Sequence, residues 1–542
     1  MNDKLFLIAA GGTGMRCLES FIHLCAMGLL DGKEINILSI DTDQGNGNKT
    51  RTRDLIQTYN NIKGKNGTTN KDTFFSAKII FYDYYTDYDN NKSGSFIAIS
   101  KTEKRADSEN QMLADLFMEN SVQEFNLMHG YRAQTHLGSY LMYHAFIETA
   151  KKAKASIDIK PWEQDLDDFC TKIQNTGEGG RVFIFGSLFG GTGASSLPVI
   201  PKAIEDYINV RSNGQAGLSD NIKFGATLLT DYFKFNPPTE KQKSTIQNAV
   251  IADSGFFRLN SQASLQYYQN DPTIKKRFKK MYHIGWPIDP IDFSDDKEKE
   301  VETGGRNQKN SCHIVELISA TAVYDFFNQE EIDNNEVSFL YKTFEVNDNK
   351  LNISFNDLIG DEEEGKKFAR KFTAMVQLMH LTLSKMGGAL GRNGVKAIIN
   401  SIEQDNIREY SDIEDVYTNY LNDYFKEYFG YSINLNKNFE KKWLYQIYDS
   451  LQGGNFILKD MTFTKNPKEI KKVSDELGEL WPDGEYNWNT SLFKGSDKLF
   501  TDKFKDFDEV SSKNQFENQQ VSLTTEKFLA HLYNTFNTLN NI

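Results

Sequence analysis

Apolar runs of strand length alternate with stretches of helical spacing along the first third of the chain. Leu5-Phe6-Leu7-Ile8-Ala9-Ala10 is unbroken by any polar residue, the pattern of a strand buried on both faces. Gly11-Gly12-Thr13-Gly14-Met15-Arg16 follows, and then Cys17, Leu18, Phe21, Ile22 and Leu24 mark one face of a helix. Ile35-Asn36-Ile37-Leu38-Ser39-Ile40 reads as a second strand that ends in Asp41-Thr42-Asp43. Arg181-Val182-Phe183-Ile184-Phe185 reads as another and runs into Gly186-Ser187-Leu188-Phe189-Gly190-Gly191-Thr192-Gly193-Ala194-Ser195-Ser196. A helix-like stretch from Leu197 to Ile204 comes next, then strands at Lys223–Thr230 and Met281–Trp286. After a polar, acidic connection from Asp289 to Lys309, Asn310–Phe327 reads as a strong helix with Asn310 as its N-cap. Alternating strands and helices of this kind predict an α/β fold on a parallel sheet.

The two glycine turns carry the chemistry. A strand, a glycine turn and a helix start place bare backbone N–H groups at a positive helix end, which is an anion cradle. Thr192, Ser195 and Ser196 can add hydroxyl donors. Asp41 and Asp43 stand where a ribose hydroxyl or a metal-bound phosphate can be met. For the first turn alone three readings compete. A dinucleotide fingerprint needs G-x-G-x-x-G, and the closing glycine is absent after Gly12 and Gly14. A Walker-type loop needs Gly-Lys-Ser/Thr, which occurs nowhere in the chain. The third reading is an ordinary tight turn. Between the two turns lies a further candidate, Met128 to Gly138, in which Arg132 can pair with a phosphate or stay a solvated charge.

The order of these landmarks resembles the tubulin/FtsZ family, and within it the divergent bacterial tubulin-like proteins. The landmarks are the first turn, Asp41-Thr42-Asp43, the Gly130/Arg132 segment, Gly190-Gly191-Thr192-Gly193 and the helix beginning near Asn310. They cover about the first 330 residues. The resemblance implies a GTP/GDP site with Mg2+ and head-to-tail self-association. It places phosphates on Gly11, Gly12, Thr13, Gly14, Met15 and Arg16, and on Gly190, Gly191, Thr192, Gly193, Ala194 and Ser195. It places the third nucleotide loop at Gly130 and Arg132, and the guanine edge on Asn310. Two features depart from the family pattern. Leu188 and Phe189 stand where the typical signature has a longer glycine run, and the stretch from Gly45 to Asn126 is lengthened.

In that family, hydrolysis uses acids that a loop after the central helix presents to the neighbour's nucleotide. The Asn-x-Asp-x-x-Asp pattern is absent here. Asp333 and Glu336 in the following loop, and Asp357 further on, are the acids that could orient water beside a magnesium-bound phosphate. Solvated surface acids are the competing reading. GTP binding with weak hydrolysis, or a noncatalytic tubulin-like scaffold that binds partner proteins, follows if none of them acts.

Composition adjusts this picture in three ways. A formal charge of -13 disfavours nonspecific nucleic-acid binding. The one dense basic run, Lys275-Lys276-Arg277-Phe278-Lys279-Lys280, reads as a solvated helix face. Four scattered cysteines without zinc spacing predict reduced, buried thiols and a cytoplasmic location. With a strand starting just after Met1 and no long apolar run, neither a signal peptide nor a transmembrane segment is expected.

The expected organisation is a tubulin-like nucleotide-binding domain over 1–328, an α+β second domain over 329–470 and a C-terminal extension over 471–542. The extension would close on a helix at Glu526–Leu539, whose apolar stripe packs inward or docks on a partner.

Overall fold

The first apolar run forms β1 (Lys4–Ala10), buried from Leu5 onward. The computed structural model describes residues 4–43, 45–64, 73–85, 131, 135–176, 180–214, 222–234, 254–286, 291–292, 305–306, 308, 310–329, 332, 337–341, 346–347, 350–353, 355–383, 416–433, 439–453, 456–458, 509–511 and 524–539. After β1 come α1 (Gly11–Ala26), β2 (Glu34–Ile40), α2 (Gly47–Lys63) and β3 (Lys78–Tyr84). Helices α3 (Thr135–Ala155) and α4 (Pro161–Gln174) precede β4 (Arg181–Phe185). Then follow α5 (Thr192–Ser196), α6 (Ile200–Arg211), β5 (Lys223–Leu229), α7 (Phe257–Asn270), α8 (Pro272–Arg277) and β6 (Phe278–Ile284). The central helix α9 (Ile314–Asn328) and the edge strand β7 (Ser338–Tyr341) complete the sheet region.

These seven strands form one sheet in the order β3-β2-β1-β4-β5-β6-β7, and every pairing is parallel. This is a doubly wound α/β fold with a Rossmann-like order, and the order reverses between β1 and β4. Alternate residues of each strand serve opposite faces. Leu5, Leu7, Ile35, Ile37, Phe183 and Phe185 face the layer that holds α1, α2 and α9. Phe6, Ile8, Leu38, Ile40, Val182 and Ile184 face the layer that holds α3, α4 and α6. Burial on both faces is why the strands read as continuous apolar runs rather than alternating ones.

Chain beyond α9 packs on the α1 side of the sheet. Helix α10 (Phe355–Ile359) leads to α11 (Glu362–Leu383), from which Lys371 donates to the Gly28 carbonyl. Trp443, the first residue of α12 (Trp443–Gly453), donates its indole N–H to Ser20 Oγ at 2.8 Å. His23 Nδ1 lies 2.7 Å from the Tyr424 hydroxyl. Helix α13 (Thr524–Leu539) buries Phe528, Leu529, Leu532 and Phe536, so this stripe packs inward, with Phe74 and Tyr533 edge to face at 5.1 Å.

Several boundaries differ from the sequence expectation. The central helix starts at Ile314 and is capped by His313, not by Asn310. Glu316 sits three residues after His313 and reaches back to its N–H, closing a capping box that Asn310 cannot form. The basic run is no single helix face: α8 ends at Arg277 and Phe278 opens β6. The helix-like stretch after the second turn begins at Ile200, after the short α5. The four cysteines are free and buried. No described helix is long and apolar enough to cross a membrane.

Candidate functional site

The carboxyl ends of β1, β2 and β4 meet at the switch point, where open α/β sheets bind their ligands. The two glycine turns touch there. A Cβ built on Gly11 would stand 3.0 Å from Thr192 Cβ and 3.2 Å from the Gly193 nitrogen, and Gly11 has φ +70, which favours glycine. Gly14 has no room for a side chain, because its Cβ would lie 2.9 Å from the Phe185 carbonyl oxygen and 3.1 Å from Ala9 C. Gly193 is similar, at 2.8 Å from the Ser187 nitrogen. Close backbone approach therefore accounts for these three glycines. Gly12 is different. Its Cβ position is open to three side-chain amides at ordinary contact: Gln308 Oε1 at 3.4 Å, Asn46 Nδ2 at 3.5 Å and Asn48 Nδ2 at 3.6 Å. Helix α1 begins here without a side-chain cap, so its first N–H groups are left for another acceptor.

Asp41 and Asp43 lie at the end of β2. Thr192 Oγ1 donates to Asp41 Oδ1 at 3.2 Å, and the Asp43 N–H donates to the same oxygen at 3.2 Å. Asp43 Oδ2 accepts from the Gly305 N–H at 2.7 Å. Burial, and then the charge of Asp43, push the Asp41 carboxyl up to about 6, against the pull of Lys49. Lys49 is itself buried, and its Nζ lies 2.6 Å from Asp83 Oδ1. Between the two acids, the Thr42 hydroxyl is buried without a hydrogen-bond partner. Two carboxylates with one raised pKa fit a hard cation that takes most of its ligands from phosphates and water.

The raised pKa fixes a pH dependence. Protonated Asp41 stabilises the fold fully below its ordinary value of 3.8, and that contribution is lost as pH rises through about 6. At pH 7.5 the buried carboxylate is a net cost. Asp41→Asn keeps an acceptor for Thr192, so it should stabilise the ligand-free chain by about 1–3 kcal/mol at pH 7.5 and by almost nothing at pH 4. Urea denaturation at both pH values measures the difference. An equal effect at both would contradict the assigned titration.

Gly138, the last residue of the third candidate segment, meets the second turn. Gly138 at the start of α3 packs on Ser195, whose hydroxyl a Cβ there would strike, and Ser139 Oγ donates to the Ser195 carbonyl at 2.8 Å. Gly130 and Arg132 lie outside the described residues. Gly190 and Gly191 are half-buried at the crevice, Ala194 and Ser195 are buried, and Ser195 Oγ donates to the Gly191 carbonyl. Thr13 is half-buried and Met15 is packed in the core.

Arg16 is engaged elsewhere. Its Nε donates to Glu316 Oε1 at 2.6 Å, and its Nη2 donates to the Ser311 carbonyl. Tyr232 donates to the same Glu316 oxygen at 2.7 Å. This buried network ties α1 to the start of α9. Asn310 stands next to the crevice, half-buried. Its N–H donates to Asn48 Oδ1 at 3.2 Å, and its carbonyl accepts from Arg51 Nη1 at 3.3 Å.

The end of the central helix is remote from this crevice. Asp333 and Glu336 lie outside the described residues, but Ile332 between them and α9 is placed: its carbonyl accepts from Lys223 Nζ at 3.2 Å. Lys223 opens β5. Arg181 opens β4 and donates to the Phe326 and Phe327 carbonyls at 3.0 Å. The end of α9 therefore sits at the amino ends of the strands, while the crevice sits at the carboxyl ends. Fifteen helical residues separate the two, about 22 Å. Asp357 is half-buried in α10, which packs against α9 and α11.

Asn46, Asn48, Lys49 and Gln308 are site residues that the sequence reading did not single out. Asn46-Gly47-Asn48 before a helix was the available signal, since Asn46 caps α2 by accepting from the Asn48 and Lys49 N–H groups. No protein-family model, curated protein or solved structure matches the chain. Fold and site together define a doubly wound α/β protein with a polar crevice at its switch point.

Proposed function

We propose that the crevice binds a guanine nucleotide with Mg2+ and that the chain is a tubulin-like protein assembling head to tail. The observation that carries the reading is the meeting of both glycine turns with Asp41 and Asp43 at the carboxyl ends of β1, β2 and β4. Backbone N–H groups of the turns would hold the phosphates. The two carboxylates would hold a phosphate-bound cation or the ribose. The choice of guanine rests on the family resemblance and on Asn310 beside the crevice.

Assembly rests on the placement of the end of α9. Within one chain, the end of α9 lies a helix length, about 22 Å, from a nucleotide at the carboxyl ends of the strands. Stacking one copy's lower end on the next copy's crevice would bring them together, and such a heterologous contact repeats into a filament when its rotation does not close. Asp333, Glu336 or Asp357 would then orient the attacking water in the neighbour's site. The free, buried cysteines accord with a reducing cytoplasm, where such an assembly would work.

A mixing experiment tests this arrangement. A Gly12→Val chain and an Asp333→Ala/Glu336→Ala chain should each be inactive alone. Mixed, they should regain about a quarter of wild-type GTP turnover, because half of the sites belong to each chain and half of their neighbours are competent. Turnover by the double acid variant alone would remove Asp333 and Glu336 from the reaction. If wild type binds GTP without turnover or light scattering, the noncatalytic scaffold reading replaces the filament.

One observation favours a second reading. The strand order is also that of dinucleotide-binding domains, with Asp41 where the ribose acid stands. The absent closing glycine weighs against it. Binding of NAD in place of GTP would establish it.

A further inference from the structure

Asn48 is 1% exposed, and its two amide atoms have different fates. The Oδ1 accepts from the Asn310 N–H at 3.2 Å, which fixes the orientation of the amide. The Nδ2 is then a buried donor with no partner. It points at Gly12, 3.6 Å from where a Cβ would stand, over the uncapped start of α1. The other amides around that point are already joined, Asn46 Nδ2 donating to Gln308 Oε1 at 2.5 Å. A buried amide hydrogen without an acceptor is costly, and native structures leave few of them.

We infer that Asn48 is a ligand-binding residue, donating its side-chain amide to a nucleotide phosphate oxygen held over Gly12. This deepens the proposed nucleotide site and rests on that reading. The inferred acceptor is anionic because Gly12 sits at the positive end of α1, a sixteen-residue helix. The same side chain holds the Asn310 backbone. Asn48 therefore couples the phosphate end of the site to the segment entering the central helix, and a ligand that draws its amide would tighten both contacts.

The substitution that separates donor from scaffold is Asn48→Asp. It has the same shape and can still accept from the Asn310 N–H, but it presents a negative oxygen where the donor was. Binding of GDP and GTP with Mg2+ to the full chain, measured by isothermal titration, should weaken about 100-fold in Asn48→Asp. In Asn48→Ala it should weaken about 10-fold, the usual range for a hydrogen bond to a charged group. Circular dichroism of the ligand-free Asp variant should keep the wild-type spectrum. Wild-type affinity in Asn48→Asp would overturn the inference and leave the nucleotide site intact. An Asp variant that is unfolded is replaced by the Ala variant, and wild-type affinity there overturns the inference equally. No nucleotide binding by wild type would overturn the site reading and this inference with it.

Discussion

Glu316→Ala is expected to destabilise the chain by about 3–5 kcal/mol, enough to unfold many domains of ordinary stability. Glu316 is fully buried and accepts from Arg16 Nε, the Tyr232 hydroxyl and the His313 N–H. Removing it leaves a guanidinium that is 3% exposed, already with one unpartnered nitrogen, and no counter-charge. It also removes the carboxylate half of the cap on α9. Glu316→Gln should cost less, since it keeps an acceptor and the shape. Denaturant unfolding of the two variants checks the order, and a loss below 1 kcal/mol in Glu316→Ala would contradict the network. Arg16 would then regain its standing as a free phosphate ligand.

The second large effect separates glycines that look alike in sequence. Gly12→Val should lower nucleotide affinity about 100-fold, or roughly 2.7 kcal/mol, while the ligand-free fold changes by less than about 1 kcal/mol. Its Cβ meets only the ends of the Gln308, Asn46 and Asn48 side chains, at 3.4 Å or more, so the β-carbon is accommodated and the γ-methyls would compete with the ligand. Gly14→Val should do the opposite in the first instance. Its Cβ would press on Phe185 O and Ala9 C, which are backbone, and overpacking of this kind costs about 1–3 kcal/mol or more. Thermal melts and nucleotide titration on the two variants read the contrast. Equal loss of stability in both would mean that Gly12 is also a packing glycine.

The strands that flank the crevice were legible because burial on both faces makes them continuous apolar runs, as in Leu5–Ala10 and Arg181–Phe185. The glycine turns were legible because three of their glycines answer to strict steric needs. Strand β3 escaped notice because Lys78 and Asp83 interrupt its apolar run. Edge strand β7 is only four residues long. Arg16 misled because sequence adjacency to a turn says nothing of where a long side chain ends. Its partner lies 300 residues away. Asn48 was invisible for the same reason, since its role depends on the backbone of Asn310, 262 positions on. The start of α9 was misplaced because asparagine is a common cap, whereas His313 serves only with Glu316 to complete the box.

The central claim is that the crevice at the switch point holds a guanine nucleotide. Its most direct test is to denature the purified chain, separate the released small molecules by ion-exchange chromatography, and titrate the emptied protein with GTP, GDP and NAD in the presence of Mg2+. The account predicts GDP or GTP in the released fraction, or saturable binding of both at one site per chain. Binding of NAD alone, or no nucleotide at all, would contradict it.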